Sequence, residues 1–165
     1  MTVSIHQPNY LPWLGYFDKI KRSDYFVVFD NVQFPRGKNH FGHRNHIKTN
    51  TGSKWLTVSV KDKSSLMPFN IIEVNNTWQE EHVRLIEAFY KKAPYFNEYY
   101  PSIKKLILAD YKSLSDLNLA LIRYFLEVLD IDTKVLLSSE ICPEELVGSE
   151  RILYIIDELN ATEYI

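Results

Sequence analysis

The sequence predicts an α/β fold: a mostly parallel sheet with helices on both faces, three layers in all. Three observations predict it. Residues 2–5 alternate polar and apolar as a strand does, residues 14–22 carry apolar side chains at Leu14, Phe17 and Ile20, and residues 25–29 are a continuous β-prone run. A strand, a short helix and a second strand make a right-handed parallel crossover. The unbroken apolar run marks a strand covered on both faces. The second half then intersperses helical stripes with two further β-prone segments, 133–137 and 162–165.

The elements follow in order. Residues 6–13, between the first strand and the first helix, hold two prolines, four polar residues and aromatic rings, where a plain connector would be short and rich in Gly, Ser, Asn or Asp. The crossover leaves room for a helix of little more than two turns. Residues 30–53 are polar and cationic without long apolar periodicity, which predicts a loop, and loops of this length are usually functional or mobile. Residues 54–60 alternate as a strand, and 71–74 form a short partner after the turn signal at 62–65. Thr77 with Glu80 predicts a capping box for a helix running through Val83, Ile86, Phe89 and Tyr90 to Pro94. A second helix is predicted after Pro101 and a third after Ser115, the latter with one stripe of Leu117, Leu121, Ile122, Phe125 and Leu129. Ser149 is placed as the cap of the last helix, which carries Ile152, Ile155, Ile156 and Leu159. No repeat, low-complexity tract or linker divides the chain, so one domain over residues 1–165 is expected.

Composition excludes several classes. The 165 residues carry 19 Lys+Arg against 21 Asp+Glu, a net charge of −2, and this gives no field that would hold the chain on nucleic acid. A single cysteine, Cys142, rules out an internal disulfide and a multi-cysteine zinc site. No apolar run reaches the roughly 20 residues needed to span a bilayer, and His6, Gln7 and Asn9 stand where a signal peptide needs its apolar core. A cytoplasmic location is expected. Cofactor and oligomeric state are left open.

In an α/β sheet the loops at the carboxyl ends of the strands hold the ligand. His6, Gln7, Asn9 and Tyr10 offer paired donors and acceptors and a stackable ring, suited to a nucleobase, a sugar or an amino acid. Gly15 lets a ligand or a packed group come close to the helix start, where free N–H groups favour an anion. Asp30, just after the second strand, is a candidate base or ribose ligand; a turn cap is the structural alternative. Arg36 and Arg44 are candidates for holding phosphate, since a guanidinium fork matches two phosphate oxygens. His40, His43 and His46 recur every three residues, yet no Cys or carboxylate completes a familiar metal spacing, so solvated histidines are expected and no metal is assigned. Trp78 and His82, four apart, share a helix face and are expected to stack, with His82 a second candidate base. Residues 93–96 with Tyr99 and Tyr100 could line an aromatic wall. Ser138, Ser139, Ser149 and Arg151 could face the same cleft. Cys142 has no base beside it and is a poor nucleophile.

The run His6-Gln7-Pro8-Asn9-Tyr10-Leu11-Pro12-Trp13-Leu14-Gly15-Tyr16-Phe17 resembles the opening motif of the WbqC-like proteins. The resemblance continues in order through Asp30-Asn31-Val32-Gln33-Phe34, Arg44-Asn45, Gly52 with Trp55-Leu56-Thr57-Val58, Trp78 with His82, Ala93-Pro94-Tyr95-Phe96, Leu117-Asn118, Ser138-Ser139 and Ser149 with Arg151. Two positions depart from the pattern: His43 stands where Asn is usual, and Ser59 where Pro is usual. Members of the family continue past residue 165, which implies a fragment or a truncated member with part of its pocket missing. The resemblance implies a role in surface-polysaccharide (O-antigen) synthesis and the transfer of an aminoacyl group, with glycyl as the suggested case. It adds Tyr16, Gln33 and Asn45 to the candidate binding residues. A weaker likeness, to nucleotidylyltransferase-like (HUP-like) folds, implies a Rossmann-like sheet. There Gly15-Tyr16 stands where a Gly-His pair belongs and Pro12 near a first histidine, so the adenylating chemistry does not carry over.

These readings converge on group transfer to a nucleotide-linked sugar, with a nucleotide or nucleotide sugar as the small-molecule partner, no nucleic acid, and Asp30 or His82 as general base. The alternatives are a non-catalytic binding or scaffold protein of the same pathway and an ATP-dependent amide ligase.

Overall fold

The computed structural model describes residues 1–35, 40–61, 67–75 and 77–165. Its strands are β1 (Thr2–His6), β2 (Tyr25–Val28), β3 (Arg44–Thr49), β4 (Gly52–Thr57), β5 (Lys134–Leu137) and β6 (Glu163–Tyr164). Its helices are α1 (Leu14–Lys21), α2 (Gln79–Tyr90), α3 (Phe96–Leu108), α4 (Leu114–Val128), α5 (Ser138–Ile141) and α6 (Ser149–Glu158). Four strands form a sheet in the order β5-β2-β1-β6, and every pairing in it is parallel. The chain builds outward from β1 to β2 and β5, then returns to the other side of β1 with β6. That reversal is the place where open α/β sheets leave a crevice at their carboxyl edge.

Alternation along β2 explains its apolar run. Phe26 and Val28 join Tyr16, Phe17 and Ile20 of α1 and Leu119, Ile122 and Leu126 of α4. Val27, pointing the other way, joins Val3 and Ile5 of β1, Cys142 and Ile155 of α6. Both faces of the strand are buried, and each such side chain contributes about 1.5–3 kcal/mol. A third cluster lies apart from the sheet. There Leu114, Leu117 and Leu121 of α4 meet Val83 and Ile86 of α2, Tyr100 and Ile107 of α3, and Ile47 and Leu56 of the β3–β4 hairpin. Helix α4 therefore serves two cores.

Several local expectations are corrected. The segment predicted as loop contains β3, which pairs antiparallel with β4 from Arg44 opposite Thr57 to Thr49 opposite Gly52. Only Ile47 of β3 is buried, so the strand has little apolar alternation to show. Residues 71–74 partner only the far end of the predicted 54–60 strand, where Val74 meets Val60 in an isolated antiparallel bridge, and not β4 itself. Helix α2 starts after Trp78 without a side-chain cap, so the Thr77 capping box does not form. Pro101 lies inside α3, which begins at Phe96. The cap of α4 is Ser113, whose Oγ accepts the Asp116 N–H at 3.1 Å while the Asp116 carboxylate accepts the Ser113 N–H at 3.1 Å. Gly148, not Ser149, precedes α6, at φ +54°.

Candidate functional site

The ends of β2 and β5 are tied by one carboxylate. Asp30 lies two residues past β2 and is 2% exposed. Its Oδ1 accepts the Ser138 hydroxyl and the Ser139 N–H, each at 3.0 Å, and its Oδ2 accepts the Ser139 hydroxyl at 2.6 Å. Its backbone carbonyl receives the Asn70 N–H at 3.0 Å. The sequence placed Asp30, Ser138 and Ser139 in one site, and the structure does bring them together. They close on each other: both carboxylate oxygens are engaged by protein donors.

Asn31 borders this knot. The Ser138 hydroxyl also lies 2.6 Å from Oδ1 of Asn31, so its one hydrogen is shared between the Asp30 and Asn31 oxygens. The other end of the amide is buried and has no protein partner among the described residues. Asn31 lines a cleft of about 400 Å³ with Phe29, Gln33, Val147, Gly148 and Arg151. The start of α6 opens onto this cleft, and at Gly148 a methyl group would meet nothing within 4 Å. Arg151 is 9% exposed and holds the cleft wall: Nη1 donates to Asn31 O at 2.8 Å, Nη2 to Glu144 O at 2.8 Å, and Nε to Leu146 O. Its charge has no carboxylate within ion-pair distance among the described residues.

The first loop divides into solvent-facing and packed residues. His6 ends β1. Its Nδ1 lies 2.9 Å from the Gln7 carbonyl, an acceptor only, so Nδ1 carries the hydrogen and Nε2 keeps a free lone pair. Burial is the main cause lowering its pKa, and nearby Lys19 lowers it further. The Tyr16 hydroxyl donates to the same Gln7 carbonyl at 3.2 Å. Asn9 and Tyr16 are buried, and burial raises the Tyr16 pKa. Tyr10 turns wholly inward, with its hydroxyl 2.9 Å from Nδ1 of His82. The His82 ring also bonds the Thr57 backbone, a bond that favours the protonated ring and so is made to the carbonyl. With the ring N–H committed there, Nδ1 accepts the Tyr10 hydroxyl. Burial holds the His82 pKa down to about 4, so the ring is neutral at pH 7. Trp78 packs against it with ring centroids 4.8 Å apart, but the rings are inclined at 57° rather than stacked as the spacing predicted.

His82 and Asp30 thus hold separate sets of partners. Gly15 leaves room for the Trp13 indole, whose Nε1 lies 2.8 Å from where a Cβ would stand. Gln33 reaches the cleft wall, while Asn45 ties the hairpin to the first loop, donating to Leu11 O at 2.6 Å. Arg44 lies on the outer face of β3 with its guanidinium 4.1 Å from the Trp55 ring. Arg36 lies outside the described residues. His40 and His43 stack at 4.7 Å against Phe34, and His43 is buried, so they are not the solvated pair expected. Among the described residues no three of His, Cys, Asp and Glu come together to hold a metal ion. Residues 93–96 line a separate apolar groove with Ile86, Tyr90 and Tyr99.

The WbqC-like protein family model matches residues 7–165. The chain belongs to that family. It is also similar to the uncharacterized protein Rv1507c of Mycobacterium tuberculosis, with 33% identity over 168 residues that cover 99% of this chain and 71% of the relative. No solved structure matches it. The WbqC-like assignment made from the opening motif therefore holds, and the motif now has a physical content. Its Tyr10, Asn9 and Tyr16 build the loop from inside, whereas His6, Gln7 and Trp13 remain partly open to solvent.

Asn31 and Gly148 of the cleft were not among the candidate site residues, and neither were Lys19 and Asn118. Lys19 donates from Nζ to Ile5 O at 3.1 Å, and burial lowers its pKa. Asn118, wholly buried in α4, donates to Pro8 O at 2.9 Å and Gly42 O at 2.7 Å. A polar residue inside an apolar helical stripe was the available signal for Asn118. No helix among the described residues is long and apolar enough to cross a membrane.

Proposed function

We propose that this protein is a cytoplasmic group-transfer enzyme, an aminoacyl transferase with glycyl as the suggested group, acting on a nucleotide-linked sugar in surface-polysaccharide synthesis. The observation that carries the reading is the cleft between Asn31, Gly148 and Arg151 at the carboxyl edge of the parallel sheet. It combines an open helix start, a guanidinium without a carboxylate partner, and an amide with one end unused. Those are the groups that receive a phosphate and a sugar or ribose hydroxyl. The sheet is read as a three-layer Rossmann-like fold, supported by its strand order and by the apolar clusters on its two faces.

In this reading Asp30 and His82 position the loops, and His6 is the proton acceptor, because its Nε2 lone pair is unused and the ring is half-open. Titration calorimetry with uridine diphosphate sugars, nucleotides and glycine tests it. Binding of a nucleotide-containing ligand, weakened by Asn31→Ala, is expected; no heat from any of them overturns it.

A second reading, a non-catalytic binding protein of the same pathway, is favoured by one observation. Both original base candidates, Asp30 and His82, are fully hydrogen-bonded within the protein. If it holds, His6→Gln leaves pathway output in cells unchanged; an enzyme dependent on His6 loses it.

A further inference from the structure

We propose that the row of rings formed by Trp13, Phe41 and Trp55 is the seat of a nucleobase, adjoining the cleft that takes the phosphate end of the same ligand. This rests on the reading that a nucleotide occupies the cleft. None of the three rings belongs to any of the three apolar clusters, and Trp13 and Trp55 are 46% and 37% exposed. They touch each other instead: Trp13 to Phe41 at 5.3 Å and Phe41 to Trp55 at 6.1 Å between centroids. Large rings left outside every core form a surface on which a flat ring can stack.

The surface is fixed from beneath. The Tyr10 N–H donates to Phe41 O at 2.9 Å, and Asn118 holds the Pro8 and Gly42 carbonyls together. Asn45 holds Leu11 O, and Leu11 sits at φ +44°, a conformation that a branched residue adopts only when its surroundings impose it. Gly15 gives Trp13 the space to lie across the start of α1. Rigid rings lose little freedom on binding.

Position favours a nucleotide over a neutral sugar. The Arg44 guanidinium lies 4.1 Å from the Trp55 ring and His46 packs against it across the strands at 3.5 Å, which holds the Trp55 end of the row in place. His6, at the carboxyl end of β1, stands between the row and the strand end that borders the cleft. Its carbonyl accepts the N–H of the cleft residue Phe29 at 2.8 Å, and its ring lies 6.3 Å from Trp13.

The test uses the 165-residue chain and its intrinsic fluorescence, titrated with uridine and adenosine 5′-monophosphate, with ribose 5-phosphate, and with methyl glucoside and glucuronate. Trp78 is buried and serves as an unresponsive background. Both nucleotides are expected to quench the signal while ribose 5-phosphate does not, and Trp13→Ala should weaken nucleotide binding by roughly tenfold or more, as loss of one base–ring stack does. Because Trp13 lies outside every core, this variant should keep the wild-type circular dichroism; Trp55→Ala, a second variant, should also weaken binding. Equal nucleotide affinity in the wild type and Trp13→Ala overturns the stacking proposal and leaves the cleft reading standing. Quenching by the saccharides alone assigns the row to a sugar and overturns it as well. No nucleotide binding by calorimetry overturns both.

Discussion

The bond between Tyr10 and His82 makes acid stability a direct probe of how the first loop is held. In the folded chain His82 is neutral with a pKa of about 4, against 6.5 when exposed. Between those values the unfolded chain binds a proton that the folded chain refuses, so stability falls as the pH drops through this window. The full contribution is present above pH 6.5. Each pH unit of the window is worth about 1.4 kcal/mol, so about 3 kcal/mol of stability is lost on reaching its acid end through this ring alone. Urea unfolding followed by fluorescence at a series of pH values from neutral down to the folded-state pKa measures it. His82→Gln does not titrate, so its loss on acidification should be smaller than the wild type's by about 3 kcal/mol. His6 and His40, also lowered by burial, contribute with the same sign in both proteins and cancel in the difference. Parallel pH curves for wild type and variant would refute the account of a buried, neutral His82.

Other perturbations read other parts of the scaffold. Asn118→Leu strands the Pro8 and Gly42 carbonyls and should lower stability by about 2–4 kcal/mol in urea unfolding. Gly148→Ala meets open space but must adopt φ +54° with ψ −126°, outside the left-handed helical well, so a loss of about 1–3 kcal/mol is expected in thermal unfolding, with no clash. Asp30→Asn replaces one acceptor facing Ser139 with a donor and should weaken the β2–β5 tie by about 1–3 kcal/mol. If Asp30 is only a positioning residue, that variant retains ligand binding by calorimetry.

How much of this was legible in the sequence follows from where each signal lives. The parallel sheet was legible because β2 is apolar on both faces, and its two clusters are the physical cause of that run. The hairpin strand β3 was not, because its stability comes from pairing with β4 rather than from its own side chains. The start of α4 was placed two residues late: Ser113 and Ser115 both precede Asp116, and only Ser113 stands at the capping-box spacing. In the candidate site, the grouping of Asp30 with Ser138 and Ser139 was readable from strand-end position. The inward turn of Tyr10 was not, since a tyrosine in a polar loop suits a ligand and a buried histidine equally well. The row Trp13, Phe41 and Trp55 joins three segments far apart in sequence, and no local pattern announces it.

The central claim is that ligand binds at the carboxyl edge of the sheet, between the cleft and the row of rings. Backbone and indole NMR shifts during titration with a uridine diphosphate sugar test it most directly. The account predicts shifts at Phe29, Asn31, Gly148 and Arg151 together with the Trp13 indole, and an unmoved Trp78 indole. Shifts confined to the groove between α2 and α3, around Tyr95 and Tyr99, would contradict it.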